Sequence, residues 1–197
     1  MGAETGDKGF ARLVSLACHD LRTPLATVHG FARTLERVEE LPEQASRYVE
    51  FMSAATEQLA GLLDDLSIVA RIEAGRYDPN LQPVDTLELA TEAASRLDGK
   101  AAANGTGAVV ELDVDAAGNA LCALARCALR HGGLERVDLD VDGPGVRISP
   151  ITQKVRPIVL GEDLRDLGAA VSVRLLRALG GTVEPEGETL YVRFLQA

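Results

Sequence analysis

The chain has 197 residues, of which 46% are apolar but only 4% aromatic, and this accommodates one or two small domains with aliphatic cores. Its 30 acidic and 20 basic residues give a formal net charge of −10, which argues against a nucleic-acid partner because phosphate binding requires clustered cations. No apolar run is long enough to span a membrane and no secretory signal opens the chain, so we expect a cytoplasmic protein without a membrane segment.

Two apolar heptad patterns dominate the first third of the chain. Each places an apolar residue alternately three and four positions on, and they comprise Val14, Ala17, Leu21, Pro24, Val28, Phe31, Leu35 and Val38, then Ala45, Tyr48, Met52, Ala55, Leu59, Leu62, Leu66 and Val69. Such spacing gives a helix a narrow apolar seam, and the break at 41–43 predicts an antiparallel hairpin. Because one hairpin cannot cover both seams, we predict a homodimer that forms a four-helix bundle.

The pattern changes after the hairpin. Residues 75–83 contain two prolines and a glycine and are predicted to be a linker. Beyond the linker the sequence predicts helices over 86–97, 116–130 and 164–179, and strands over 109–114, 137–141, 146–149, 183–185 and 190–195. Helices set apart from an antiparallel sheet form a two-layer α/β sandwich. The predicted fold class is α+β, with a helical domain over 8–75 and an α/β domain over 84–197.

The candidate reactive residues lie on the first predicted helix, in the run CHDLRTPLATVHGFAR. At about 100° per residue, His19 lies about 200° from the nearest seam positions and points away from the seam. Asp20 can hydrogen-bond one imidazole nitrogen, which fixes the tautomer and makes the other nitrogen more nucleophilic. Thr23 lies one turn further along the same face, and Pro24 bends the helix after that turn. His29 has no such neighbours and is predicted to be a surface residue.

The motif His-acid-x-x-Thr-Pro, formed by His19, Asp20, Thr23 and Pro24, resembles the phosphoacceptor box of dimeric sensor histidine kinases. In that family the matching histidine is phosphorylated and passes the phosphoryl group to an aspartate of a response-regulator receiver domain. The matching acid assists the transfer, and the matching threonine orients water for dephosphorylation of the regulator. The resemblance therefore implies catalytic roles for His19, Asp20 and Thr23, and response-regulator receiver domains as partners.

A receiver domain must bring its aspartate opposite His19, so its docking helix is expected to lie along the bundle just below that residue. Helical spacing places five residues nearest this approach, namely Arg22, Thr23, Ala26, Thr27 and Gly30. The small residues allow close helix packing. The charge of Arg22 would attract an acidic receiver site.

The second half resembles the ATP-binding domain of the same family, with departures at its motifs. Residues 166–181 resemble the glycine-rich box and its following helix, but Leu164 and Asp166 stand where the first two glycines belong. Only Gly168 remains, and a phosphate cradle needs small residues so that backbone amides can approach the anion. The run LARCALRHGG resembles NLLxNALRHG, with Ala123 and Cys127 in the asparagine places, and neither side chain can ligate a hard cation such as Mg²⁺.

The run DGPG at 142–145 resembles the adenine-recognising Asp-x-Gly-x-Gly but departs from its spacing, and its place between two predicted strands favours a hairpin turn. Arg126 and Arg130 are predicted to be solvated helix charges. Three cysteines without C-x-x-C spacing suggest neither a disulfide framework nor a zinc site. These features predict that ATP and Mg²⁺ binding are lost, and that the chain has no cofactor and no metal.

Three functions stay open. The first is a histidine phosphotransferase built as a degenerate histidine kinase, which shuttles a phosphoryl group between His19 and receiver aspartates without ATP. The second is a sensor-less histidine kinase with an aberrant ATP site. The third is a non-catalytic module that docks a kinase or a response regulator. An intact phosphoacceptor box beside broken nucleotide boxes favours the first.

Overall fold

A computed structural model describes residues 3–38 and 41–195, and the chain divides into two compact units, Met1–Arg76 and Tyr77–Ala197. Residues 196–197, which belong to the predicted second domain, lie outside the described residues. The first unit consists of two long helices, α1 over Ala3–Leu35 and α2 over Glu43–Glu73. Contacts pair residue 22 with residue 64 and residue 29 with residue 56, so the helices run antiparallel. The predicted hairpin is confirmed.

Two neighbouring rows of residues run along each hairpin helix. One row is buried by contacts within the chain, and we call it the covered stripe. The covered stripe contains Ala11, Cys18 and Ala32 on α1 and Val49, Ser53, Thr56, Leu63 and Ala70 on α2. Most of the predicted seam remains exposed, including Leu21, Val28, Phe31 and Leu35 on α1, Val38 just after it, and Tyr48, Met52 and Leu59 on α2. The predicted seams are therefore a different surface from the contact inside the hairpin.

The second unit is an α/β sheet domain. Its strands are β1 (Leu81–Asp85), β2 (Ala101–Gly107), β3 (Val109–Asp113), β4 (Val137–Gly143), β5 (Gly145–Ser149), β6 (Thr182–Glu186) and β7 (Thr189–Arg193). Its helices are α3 (Thr86–Ser95), α4 (Val114–Gly132), the single turn α5 (Arg156–Val159) and α6 (Leu167–Ala178). Helices and sheet bury an aliphatic core that includes Leu89, Leu121, Leu124, Leu139, Ile148, Leu176 and Leu190.

The strands form a five-stranded sheet in the order β2-β4-β5-β7-β6 and a separate pair, β1-β3. The predicted antiparallel sheet is wrong in one respect, because β2 pairs with β4 in parallel. Strand β1 lies partly inside the predicted linker, and β2 and α5 were not predicted. The sequence AAANGTG of β2 has low strand propensity. Its Gly105 has φ 118°, and a Cβ there would lie 2.0 Å from the carbonyl oxygen of Val141.

Side-chain caps mark where α3, α4 and α6 begin. The Asp113 carboxylate accepts a hydrogen bond from the amide of Ala116 at the start of α4, and Gly133 ends that helix with φ 62°. Asp166 caps α6 by accepting from the amide of Ala169. Because Asp166 is the cap, α6 begins at 167 and not at 164 as predicted.

The run DGPG forms the predicted turn between β4 and β5, where Asp142 pairs with Gly145 across the hairpin. Gly143 has φ 57°, a left-handed conformation that glycine adopts at little cost. A Cβ at Gly145 would lie within 2.6 Å of three ring and hydroxyl atoms of Tyr191, so this position has no space for a side chain. Over residues 3–38 and 41–195, no helix combines the length and the apolar character needed to cross a membrane.

Candidate functional site

His19 and Asp20 lie on the outside of α1. Their side chains are 78% and 68% exposed, and His19 Nδ1 lies 3.1 Å from Asp20 Oδ1. When Nδ1 carries the proton, it donates to the carboxylate, and the lone pair of Nε2 points into solvent as a nucleophile. The carboxylate of Asp20 thus lies within hydrogen-bonding distance of one imidazole nitrogen, as expected from the sequence.

An open hollow of 490 Å³ lies beside the imidazole and is lined by His19, Arg22, Thr23, Ala26 and Thr27. The Thr27 hydroxyl donates to the carbonyl oxygen of Thr23 at 3.1 Å. The structure thus brings four of the five predicted docking residues together around His19. Gly30, the fifth, is exposed one turn further on and does not line the hollow.

Arg22 is engaged within the hairpin, which the sequence did not indicate. Its guanidinium donates to Asp64 Oδ1 on α2 at 2.7 Å, and both side chains are exposed. Exposed ion pairs of this kind contribute little to stability because water screens both charges. Arg22 can therefore exchange this partner for another carboxylate at small cost.

The prediction that His29 is a surface residue is wrong. Its ring is half-buried, and Nδ1 lies 3.0 Å from the hydroxyl oxygen of Thr56 on α2. The Thr56 hydroxyl lies 2.9 Å from the carbonyl oxygen of Met52 and donates to it, so its oxygen can accept a hydrogen bond from the imidazole. His29 therefore links the two helices and is a structural residue.

The residues of the altered glycine-rich box surround the amino terminus of α6. Leu164 is 73% exposed, whereas Asp166 is 9% exposed and accepts from the amide of Ala169 at 3.0 Å through Oδ1. Gly168 lies in the first turn of the helix. A helix amino terminus attracts anions through its unpaired amides. Here a carboxylate of the chain itself binds one of these amides.

The second oxygen of Asp166 faces α4. Oδ2 lies 3.0 Å from Nε2 of His131 and 3.5 Å from the guanidinium of Arg130. Arg130 is exposed as predicted, but it is an ion-pair partner rather than a purely solvated charge. Arg126, also exposed, contacts the sulfur of Cys122 at 3.5 Å.

Cys127, which stands in an asparagine place of the family motif, is buried beside this pair. Burial raises the pKa of its thiol to about 12, and the negative charge of Asp166 and a hydrogen bond to it add to this shift, against the opposing charge of Arg130. The cluster of Cys127, His131 and Asp166 was missed in the sequence. The spacing C-x-x-x-H was the available signal, because it puts two side chains on one face when the helix predicted over 116–130 continues to His131.

Comparisons with known proteins agree with these features. Residues 11–75 match the family model described as the His Kinase A (phospho-acceptor) domain. The chain is 34% identical over 84 residues to the probable sensor histidine kinase TcrY of Mycobacterium tuberculosis, which covers 43% of this chain and 18% of TcrY. The chain thus spans less than a fifth of the length of that relative.

Two solved structures share the fold. The structure of full-length ShkA in complex with AMPPNP matches with a TM-score of 0.67 at 24% identity, covering 94% of this chain and 47% of ShkA. The Acinetobacter baumannii histidine kinase AdeS matches with a TM-score of 0.57 at 19% identity, covering 89% of this chain and 96% of AdeS. Taken with the family match, these likenesses identify residues 11–75 as a phosphoacceptor hairpin of the histidine kinase family, followed by an α/β unit whose fold resembles the ATPase domains of these kinases.

Proposed function

We propose that this protein is a histidine phosphotransferase, which receives a phosphoryl group on His19 from a phosphorylated receiver domain and donates it to another without using ATP. In the forward step Nε2 of His19 attacks phosphorus, the P–O bond to the receiver aspartate breaks, and that aspartate leaves as a carboxylate. Asp20 stabilises the positive charge that develops on the imidazole by holding the Nδ1 proton. The reverse step regenerates neutral His19.

One contrast carries this proposal: the phosphoacceptor pair is exposed and complete, whereas the position of the nucleotide phosphates is altered. At the amino terminus of α6 the carboxylate of Asp166 binds an amide and an imidazole. A triphosphate would have to displace a buried anion of like charge, which opposes binding. Leu164 replaces another glycine of the phosphate cradle, and Ala123 and Cys127 replace the asparagines with side chains that cannot ligate Mg²⁺.

A different observation argues against each of the two other functions. A kinase with an aberrant ATP site must bind Mg-ATP, so the altered boxes count against it. A docking module without chemistry does not need a paired, exposed imidazole, so the 3.1 Å contact between His19 and Asp20 counts against it. Phosphotransfer accounts for both the intact pair and the altered boxes.

We expect no saturable binding of Mg-ATP to the full chain up to millimolar concentration, because the Asp166 carboxylate occupies an amide at the start of α6 and the Mg²⁺ ligands are replaced. Isothermal titration calorimetry measures this directly, with an ATP-competent histidine kinase titrated in parallel as the positive control. Saturable binding in the millimolar range or tighter, or autophosphorylation of His19 by ATP, would restore the kinase function.

We expect Ala26→Arg to weaken binding of a cognate receiver domain at least tenfold, about 1.4 kcal/mol. The new side chain fills the hollow next to His19 where the partner helix must pack. The matched control is Ala54→Arg, which adds the same charge at an exposed alanine of α2 outside the hollow. Biolayer interferometry gives both affinities, and equal weakening by the two variants would show that charge rather than the hollow decides docking.

A further inference from the structure

Three side chains of metal-binding types meet between α4 and α6. The sulfur of Cys127, a ring nitrogen of His131 and a carboxylate oxygen of Asp166 all lie within 4.8 Å of one another. Cys127 and His131 are four residues apart on α4, a spacing that places two ligands on the same face of a helix. Asp166 reaches the same point from the amino terminus of α6.

The cluster lies largely inside the domain and its members are held in place. Cys127 is 1% exposed and Asp166 is 9% exposed, while His131 reaches the surface with part of its ring. The amide of Ala169 binds Oδ1 of Asp166, which directs Oδ2 toward Nε2 of His131 at 3.0 Å. An outer contact that orients a ligating carboxylate in this way is typical of metal sites.

The donor set selects the class of metal. Zinc bonds of about 2.0–2.3 Å at tetrahedral angles put neighbouring donor atoms about 3.3–3.8 Å apart. The present separations reach this range with about 1 Å of side-chain movement. Thiolate, imidazole and carboxylate together suit Zn²⁺, whereas Mg²⁺ requires oxygen ligands. Cys127 replaces an asparagine of the family motif that would ligate Mg²⁺, and its thiolate suits the softer Zn²⁺ instead.

We propose that Cys127, His131 and Asp166 form a zinc site that joins the end of α4 to the start of α6. On binding, the thiol proton of Cys127 is released to solvent, the imidazole of His131 takes the tautomer that protonates Nδ1 and leaves Nε2 free to bind, and a bond between sulfur and zinc forms, with water as the fourth ligand on the side where His131 is exposed. The guanidinium of Arg130, which is 61% exposed and 3.5 Å from Oδ2, moves into solvent as the cation enters. The site stabilises the second unit by binding only its native state. This proposal stands independently of the phosphotransfer proposal.

The test uses the metal-stripped full chain and two ions. Titration with Co²⁺ is expected to produce a thiolate-to-cobalt charge-transfer absorption that saturates at one equivalent, and Zn²⁺ is expected to displace it. Zinc should also raise the melting temperature of the second unit, and a chelator should reverse the increase. A titration without the charge-transfer band overturns the proposal, because it means that no cysteine ligates the metal.

Variants assign the ligands. Cys127→Ser should remove the band, and His131→Gln and Asp166→Asn should each weaken zinc binding at least tenfold. Asp166→Asn retains a side-chain cap on α6, and His131→Gln changes a partly exposed residue, so both test the site if Cys127→Ser fails to fold. Cys122→Ser is the matched control, since Cys122 is a buried cysteine of the same helix outside the cluster. Persistence of the band in Cys127→Ser, or unchanged affinity in both other variants, contradicts the assignment.

Discussion

Replacing His19 with glutamine is expected to abolish phosphoryl transfer from a phosphorylated receiver domain while the protein stays folded and still docks that domain. Glutamine has no nucleophilic nitrogen, and because the His19 side chain is 78% exposed, its loss should change the free energy of unfolding by no more than about 0.5 kcal/mol. Transfer is measured as acid-labile phosphohistidine, and docking by the affinity of the same receiver.

The matched control for this variant is His29→Gln. His29 lies on the same helix but is half-buried and contacts Thr56 across the hairpin. This variant should retain transfer and lose thermal stability, since it changes a contact between helices. If His19→Gln still accepted the phosphoryl group, or if only His29→Gln lost it, His19 would not be the acceptor.

Leu59→Glu is expected to convert a homodimer into a monomer that remains helical. Leu59 belongs to the predicted seam of α2 and is 50% exposed in the single chain, so a carboxylate is tolerated there until a second chain covers it. An unpaired charge buried at such an interface costs about 3 kcal/mol or more, which weakens association more than a hundredfold. Sedimentation velocity measures the state, and circular dichroism the helix content.

Gln58→Glu adds the same charge at the neighbouring exposed position outside the seam and should leave the dimer intact. Leu63→Glu should instead unfold the hairpin, because Leu63 is buried within one chain. A wild-type chain that sediments as a folded monomer at micromolar concentration would contradict the homodimer. So would a Leu59→Glu protein that associates as tightly as Gln58→Glu.

The hairpin and most of the second unit could be predicted because their signals are local. Heptad spacing predicted both helices of the first unit, and Asp, Gly and Pro predicted the turn at 142–145. Periodicity alone could not assign each apolar stripe to its contact, because two stripes run side by side on each helix. The covered stripe contains small and polar residues such as Ala32, Ser53 and Thr56, which hydropathy does not single out.

Other features depend on residues that are distant in the sequence. Strand β2 pairs with β4 although its alanines and glycines have low strand propensity, so its tertiary neighbours decide its conformation. In the sequence, Asp166 is recognised only as a residue that stands in place of a motif glycine. The fold shows that it caps α6 and contacts His131 of α4. His29 is a structural residue because it contacts Thr56 on the other helix. Each of these contacts joins residues of two different helices or strands, so the spacing of residues along the sequence does not predict it.

The most direct test of the proposed function offers the wild-type chain two phosphoryl donors separately. One is a panel of receiver domains from the source organism, phosphorylated on aspartate and freed of nucleotide, and the other is Mg-ATP alone. We predict that at least one receiver transfers its phosphoryl group to His19 and that Mg-ATP leaves His19 unmodified. Phosphohistidine that forms from Mg-ATP, with no transfer from any receiver, would contradict a phosphotransferase that works without ATP.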